Sequence, residues 1–194
     1  MYIPKHFDIE DREEWIRFIE ANAFGQLISN DENGRPFSSH VPFLLSEDKL
    51  TIRGHLARQN PQCLSADGQE VLVSLQGPHA YVSPSWYQAP GVPTWNYQAL
   101  HIYGVCRFTS DVEKIKTIVD SLTEKCEAGF DQPWQAEYRS AMLGAICGFD
   151  IEISEIQCKY KLSQNRSDED RAGVIQQLEK TNGRLARVMG RALG

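Results

Sequence analysis

Hydrophobic residues near the start of the chain recur at the spacing of an amphipathic helix. In residues 8–22 (DIEDREEWIRFIEAN), Trp15, Ile16, Phe18 and Ile19 fall on one stripe. The acidic residues before this stripe suit the first turn of a helix, because the backbone N–H groups there carry partial positive charge. The pattern predicts a first helix.

The period then changes from that of a helix to that of a strand. Short runs of alternating hydrophobic and polar residues are separated by turn residues such as the Asn33–Gly34 pair. They predict a meander of antiparallel strands over residues 24–29, 35–45, 49–56, 70–76, 80–87 and 93–108. The last run is long enough to bend around the corner of a barrel.

After these runs the pattern is helical again and then returns to one late strand. Residues 110–129 and 134–146 predict two helices, and residues 149–162 alternate strictly enough to predict a strand in the same sheet. The segment 167–194 begins with a capping serine and acidic residues, which predicts a helical tail. We therefore expect a β-rich domain with N-terminal and inserted helices over 1–166, followed by this tail.

Composition narrows the class of protein. Of 194 residues, 41% are hydrophobic and 24% are charged, as in an ordinary globular chain with one main core. No apolar run approaches the roughly 18 residues of a membrane span, and the acidic start is unlike a signal peptide. We expect a cytoplasmic protein without membrane contact. The five scattered cysteines form no CxxC pair, and most of them are expected to be buried thiols.

Charge adds one candidate surface. A net charge of −6 makes the average surface repel a nucleic-acid backbone. The tail is the exception, because four basic residues recur there at helical spacing with no acidic residue after Glu179. They are Lys180, Arg184, Arg187 and Arg191. They predict the place of any DNA contact, and a solvated helix face is the alternative.

Two stretches carry groups suited to an anion or a polar ligand. Residues 54–62 (GHLARQNPQ) follow a predicted strand and open into a helical turn, where backbone N–H groups with His55 and Arg58 can hold a phosphate. A surface arginine and a turn-capping histidine are the alternative. In an earlier strand Ser38 and His40 share one face, which predicts a polar pair pointing into a barrel unless that face is an exposed edge.

Two further runs combine flat rings with hydrogen-bonding groups. In residues 91–101 (GVPTWNYQALH), Trp95 and Asn96 lie on opposite sides of a strand, which suits a planar heteroaromatic ligand. The alternative buries the rings in the core and leaves the polar residues in water. At the end of the late strand, Lys161 and Ser163 belong to a cluster of donors that suits a phosphate or a ring oxygen, or a solvated exit into the tail.

The sequence lacks the motifs of several common metal-binding, hydrolytic and nucleotide-binding sites. The five histidines show no HxxxH or HExxH spacing, so we expect no metal site. No GxSxG elbow, P-loop or GxGxxG is present, and no residue is assigned a catalytic role. Haem binding remains an alternative, because a single exposed histidine suffices as an axial ligand.

A set of motifs along almost the whole chain resembles the PaiB-like family of FMN-binding negative transcriptional regulators. The motifs are MYIPKHF at the start, HLARQNPQ (55–62), GPHAYVSPSWY (77–87), VPTWNYQALH (92–101) and KLSQNR (161–166). The resemblance implies a mainly β fold with flanking helices, built on a six-stranded antiparallel split β-barrel with Greek-key character. It also implies a homodimer with FMN in grooves between the subunits.

The resemblance further implies a set of flavin-contacting residues. They are Ser38, His40, His55, Arg58, Asn60, Trp95, Asn96, Lys161 and Ser163. Of these, His55 and Arg58 match the phosphate-gripping position of related barrels. The chain departs from the related pyridoxamine 5′-phosphate oxidase, since it lacks the full set of arginines and lysines that hold FMN and a second phosphorylated substrate there. This departure favours a weak or vacant flavin site.

The resemblance implies a negative transcriptional regulator or flavin-linked sensor. One alternative is a flavin-dependent oxidoreductase, in which NAD(P)H reduces bound FMN. Another is a haem-binding barrel. The absence of a helix-turn-helix pattern leaves the basic tail as the one predicted DNA contact.

Overall fold

The computed structural model describes residues 1–191 as one mainly antiparallel sheet with flanking helices. The strands are β1 (Phe24–Asn30), β2 (Pro36–Pro42), β3 (Leu44–Leu45), β4 (Thr51–Ala57), β5 (Glu70–Val82), β6 (Thr94–Thr109) and β7 (Ile146–Lys161). The helices are α1 (Arg12–Ala21), α2 (Gln62–Ser65), α3 (Val112–Glu127), α4 (Ser140–Gly144), α5 (Asp168–Thr181) and α6 (Gly183–Arg191). Short 3-10 turns occur at Lys5–Phe7 and Pro84–Trp86.

The sheet has seven strands in the order β2-β1-β5-β6-β7-β4-β3, so the expected count of six is wrong. The extra strand arises because the predicted run 35–45 divides at Phe43. Up to Pro42 the run pairs with β1, whereas Leu44 pairs with Arg53 of β4. Phe43 therefore carries the chain from one edge of the sheet to the other, and its side chain is fully buried. The two edges approach without closing the barrel.

Two other predicted elements differ from the structure. The runs 70–76 and 80–87 join into the single strand β5, which ends at Val82. The helix expected over 134–146 is reduced to α4, and residues 130–139 contain neither helix nor strand. Trp134 and Tyr138 have helical spacing, yet their rings meet edge to face at 5.8 Å in irregular chain. Periodicity alone does not distinguish the two arrangements.

Packing divides the chain into two compact units. The first unit comprises residues 1–18, 76–100 and the chain from 157 onward, and the second comprises residues 19–75 and 101–156. The core of the second unit contains Phe149, whose ring lies edge-on to Phe43 at 6.1 Å and to Phe108 at 5.8 Å. Among residues 1–191, no helix combines the length and the apolar character needed to span a membrane.

The tail helices belong to the first unit. Ser167 caps α5 as predicted, because its hydroxyl accepts the Asp170 N–H. The tail then breaks at Asn182, whose side chain accepts the Leu185 N–H at 3.1 Å and donates to the carbonyl of His79 at 3.0 Å. This cap starts a new helix, α6, whose Met189 is buried.

A buried carboxylate fastens α5 to the connection after β5. Asp170 is 2% exposed, and its Oδ1 accepts the backbone N–H groups of Gln88 at 2.7 Å and Ala89 at 3.2 Å. A charged acceptor forms stronger hydrogen bonds than a neutral one, and the two N–H groups would be left unpaired without it. Asp170 is therefore a principal anchor of the tail.

The replacement Asp170→Ala is expected to lower the free energy of unfolding by about 2–4 kcal/mol, because two charge-assisted hydrogen bonds are lost. Asp168→Ala is the matched control, since the side chain of Asp168 is 85% exposed and lies 3.6 Å from Arg171. Asp168→Ala should lower the free energy of unfolding by less than about 1 kcal/mol. Chemical denaturation measures both values, and equal losses would contradict the anchoring role.

Candidate functional site

A small polar pocket in the first unit forms where β6 begins and β7 ends. We call it the basic pocket. Its volume is about 120 Å³, and its lining residues are Tyr87, Val92, Thr94, Asn96, Lys161, Ser163, Asn165 and Arg166. It unites residues from two of the runs that the sequence analysis had singled out, 91–101 and the end of the late strand.

A reciprocal hydrogen-bond pair forms one wall of the basic pocket. Asn96 donates to Ser163 Oγ at 2.9 Å, and the same hydroxyl donates back to Asn96 Oδ1 at 3.3 Å. Asn96 Nδ2 also contacts Met189 Sδ at 3.4 Å. Ser163 has a φ of 65°, a left-handed conformation that is uncommon for a serine. The pair holds this turn in place while burying its own polar atoms.

Three cations lie along the end of β7 and the turn that follows. Lys161 Nζ donates to the carbonyl of Trp95 at 2.8 Å and to Thr94 Oγ1. Lys159 Nζ donates to the carbonyl of Tyr2 at 2.9 Å. Arg166 stacks over a ring, with its Cζ 4.4 Å from the centroid of Tyr87.

This cluster has no carboxylate partner in the part of the chain that the structure describes. Within the described chain, Lys159, Lys161 and Arg166 form no ion pair, and their hydrogen bonds go to carbonyl and hydroxyl oxygens. Burial, with the nearby charge of Lys159, lowers the pKa of Lys161. A bound anion would compensate both the burial of the Lys161 charge and its repulsion by Lys159. The basic pocket therefore has the chemistry of an anion site.

The aromatic face of β6 lies outside the core. Trp95 is 54% exposed, and its ring centroid lies 6.3 Å from those of His79 and Tyr81. On the opposite face Asn96 and Gln98 are buried. This is the reverse of the alternative considered from the sequence, in which the rings fill the core. The exposed rings offer a flat apolar surface on the same strand as the basic pocket.

The Ser38–His40 pair lies on an exposed edge strand, which is the alternative considered from the sequence, and it does not point into a barrel within this chain. Both side chains are exposed, whereas Val41 is buried. The register with β1 places His40 opposite Gln26, and the two side chains meet at 3.0 Å on the outer face. Alternation correctly predicts that Ser38 and His40 share one face of the strand, but it does not determine which face is buried.

The phosphate-binding residues expected in segment 54–62 have other partners. Arg58 donates to the carbonyls of Gly144 at 2.6 Å and Ile146 at 3.1 Å, and it contacts Ser110 Oγ at 3.3 Å. Asn60 donates to Ser39 Oγ at 2.8 Å and accepts from the backbone of Gln62. In this structure Arg58 fastens the start of β7 to the end of β4, so its guanidinium is largely occupied.

His55 lies apart from these polar contacts. It lines an apolar cavity in the second unit, and burial lowers its pKa. Of the nine predicted flavin contacts, Asn96, Lys161 and Ser163 line the basic pocket, and Trp95 lies beside it with its carbonyl accepting from Lys161. Lys159 and Arg166 were not predicted as contacts, although their presence in the donor-rich run 159–166 was a usable signal. Among residues 1–191, no group of three or more potential metal ligands is found.

The chain matches known proteins over most of its length. A family model described as "Putative FMN-binding domain" matches residues 1–155. The chain is 40% identical to the protease synthase and sporulation protein PAI 2 of Bacillus subtilis (strain 168), over 97% of this chain and 94% of that protein. It is 34% identical to the uncharacterized protein AN0679 of Emericella nidulans, over 73% of this chain and 74% of that protein.

Solved structures share the fold at low sequence identity. The flavocytochrome Anf3 from Azotobacter vinelandii has a TM-score of 0.67 at 14% identity, over 88% of this chain and 78% of that chain. The FAD and heme binding protein from Mycobacterium smegmatis has a TM-score of 0.66 at 17% identity, over 85% of this chain and 78% of that chain. The split-barrel fold and the PaiB-like resemblance are confirmed. The chain belongs to the FMN-binding domain family, in its PaiB-like branch.

Proposed function

We propose that this chain is an FMN-binding regulatory protein in which the basic pocket holds the flavin phosphate. The observation that carries the proposal is that Lys161 and Arg166 in the pocket lining, and Lys159 two residues before Lys161 on β7, have no carboxylate partner among residues 1–191. Phosphate recognition in proteins uses such cations together with hydroxyl and amide donors. Thr94, Ser163 and Asn165 supply hydroxyl and amide groups at the same place. The volume of about 120 Å³ suits a phosphate group rather than a whole flavin.

The exposed rings beside the pocket suit the other half of the ligand. Trp95 and Tyr81 present flat faces on which an isoalloxazine ring can stack. When bound, FMN supplies one- and two-electron redox chemistry, while the chain's own residues bind and orient it. This assignment moves the phosphate from His55 and Arg58, as first expected, to Lys161 and Arg166.

A homodimer is part of the proposal. Strand β2 lies at an edge of the sheet, and exposed edges with apolar side chains favour pairing with another chain. On this edge Phe37 is 37% exposed, and on the neighbouring strand Phe24 is 65% exposed and stacks on His40 at 6.4 Å. In a dimer formed through this surface, Ser38 and His40 would face the partner.

Replacing Lys161 or Arg166 by glutamine is expected to weaken FMN binding by about 10- to 150-fold, since a hydrogen bond to a charged group contributes about 1.5–3 kcal/mol. Riboflavin lacks the phosphate, so its weaker binding should stay at the wild-type level. Flavin fluorescence titration measures both affinities.

Two control variants locate the phosphate. Lys125→Gln removes an exposed lysine of α3 and should leave FMN binding unchanged. Arg58→Gln tests the site first expected from the sequence. If Arg58→Gln weakens FMN selectively while the Lys161 and Arg166 variants do not, the phosphate lies at the end of β4 and the present assignment is wrong.

The regulatory part of the proposal rests on the tail. Lys180, Arg184, Arg187 and Arg191 are all exposed, and the last three lie on α6. The opposite face of α6 buries Leu185, Ala186 and Met189. A basic helix face held on a packed apolar face can contact DNA phosphates without a helix-turn-helix. Deleting the tail would also remove this packing, so point substitutions are the sharper test.

The triple variant Arg184→Gln/Arg187→Gln/Arg191→Gln is expected to weaken binding to a mixed-sequence DNA duplex. It should also reduce the slope of log K against log salt concentration by up to about 3, because each lost phosphate contact removes roughly 0.9. Fluorescence anisotropy over a salt series measures the slope.

The matched control makes the same charge change elsewhere. It replaces the exposed residues Arg12, Lys114 and Lys125 by glutamine. This variant should keep the wild-type slope. If the slope decreased equally in the two triple variants, the net charge of the protein, rather than α6, would govern DNA binding.

A further inference from the structure

The second unit contains a cavity that the flavin proposal does not use. Its volume is about 420 Å³, within the range of about 300–1,000 Å³ typical of small-molecule pockets. It is bounded by the C-terminal half of α3, by α4 and by the irregular segment 130–139. We call it the apolar cavity, and the lining residues that carry the argument are Leu122, Cys126, Glu127, Trp134, Tyr138 and Met142.

Hydrocarbon forms most of the lining of the apolar cavity. Val119, Leu122 and Leu143 are buried residues of this lining, and a ligand that replaces water against them gains free energy by burying its own apolar surface. Trp134 is 52% exposed and Met142 is 55% exposed, so this side of the cavity borders solvent. A molecule can therefore enter from that side and leave a polar group at the rim.

A single carboxylate supplies the formal charge of the lining. Glu127 is half-buried at the end of α3, and its Oε2 accepts the Trp134 N–H at 2.8 Å. A carboxylate offers about four acceptor positions, so most of its capacity is still free. Within residues 1–191, no lysine, arginine or histidine forms an ion pair with Glu127. Its negative charge is therefore largely uncompensated.

The rest of the lining supplies no positive charge. Lysine and arginine are absent from the residues of the described chain that line the cavity. His55 is the one lining residue that could be protonated near neutral pH, and burial lowers its pKa. The C-terminal end of α3, which contributes Cys126 and Glu127, adds the partial negative charge of helix carbonyl groups. The cavity therefore favours a cation over an anion.

Two aromatic rings adjoin the carboxylate. The residue whose N–H binds Glu127 is Trp134, and the ring centroids of Trp134 and Tyr138 lie 5.8 Å apart, edge to face. The Tyr138 hydroxyl pairs with Thr123 Oγ1 at 2.8 Å, which holds the second ring in place. The face of an aromatic ring attracts an ammonium group within about 6 Å of its centroid. Carboxylate and rings thus favour the same kind of ligand group.

We propose that the apolar cavity binds an organic cation, an alkylamine with an apolar body, and that Glu127 is its counter-ion. The ammonium group lies at the rim beside Glu127 and Trp134, and the apolar body fills the space beside Leu122 and Met142. An alkylamine is protonated at neutral pH, like the side chain of lysine. This ligand class is cationic, in contrast to the anion proposed for the basic pocket.

Isothermal titration calorimetry with 1-naphthylmethylamine, 1-naphthylmethanol and 1-naphthoate tests the proposal. The three probes share one ring system and differ in charge. We expect the amine to bind about tenfold more tightly than the neutral alcohol, because it forms a hydrogen bond between charged groups. The anion 1-naphthoate should show no measurable binding.

Glu127→Gln separates charge from shape, because the glutamine carbonyl can still accept the Trp134 N–H. This variant should reduce the affinity for the amine to that for the alcohol and leave the alcohol unchanged. Glu124→Gln is the matched control, since it removes an exposed carboxylate of the same helix outside the lining. It should bind the amine like the wild type, and an equal loss in both variants would contradict the role of Glu127.

A space-filling variant covers the case in which Glu127→Gln does not fold. Cys126 lines the cavity, so Cys126→Phe should abolish binding of the amine and the alcohol, whereas Lys125→Phe, at an exposed position of the same helix, should not. FMN binding should be unaffected in Cys126→Phe, which separates this proposal from the flavin assignment. No heat of binding with the amine, equal affinities for amine and alcohol, or unchanged amine binding in Cys126→Phe would overturn the proposal.

Discussion

The antiparallel pairing of β6 with β7 is the constraint on which the rest of the structure depends. Each strand has sixteen residues, and they are neighbours in the sheet. The contact of Lys161 with Thr94 and the close approach of Gly104 to the carbonyl of Glu152 both fit strands that run in opposite directions. Because antiparallel neighbours place the start of one strand beside the end of the other, residues more than 60 positions apart form one pocket.

The polar groups of the basic pocket are satisfied unequally. The hydroxyl and amide groups of Ser163 and Asn96 pair with each other, whereas Lys161 and Arg166 have no carboxylate partner among residues 1–191. Since uncompensated positive charge favours an anionic ligand, this difference predicts the chemistry of the pocket.

Local patterns were reliable where a short segment is sufficient to decide the structure. The cap at Ser167, the apolar stripe of α1 and the alternation of β6 are properties of a few neighbouring residues, and the structure contains all three. The helix expected over 134–146 is wrong, because the same spacing of aromatic residues also serves an irregular segment. For Ser38 and His40 the sequence left two orientations open, because alternation does not decide which face is buried, and the structure contains the exposed one.

The sequence by itself determined the family, the order of most strands and helices, and the runs in which the polar and aromatic residues of the sites occur. Only the tertiary structure decided that Phe43 takes the chain between the two edges of the sheet and that carbonyl oxygens occupy Arg58. It also decided that Lys161 and Arg166 line one pocket and have no carboxylate partner within residues 1–191. The physical reason is that hydrogen-bond partners and counter-charges come from segments distant in sequence. A residue type shows what a group can do, whereas its folded neighbours decide whether that capacity is already used.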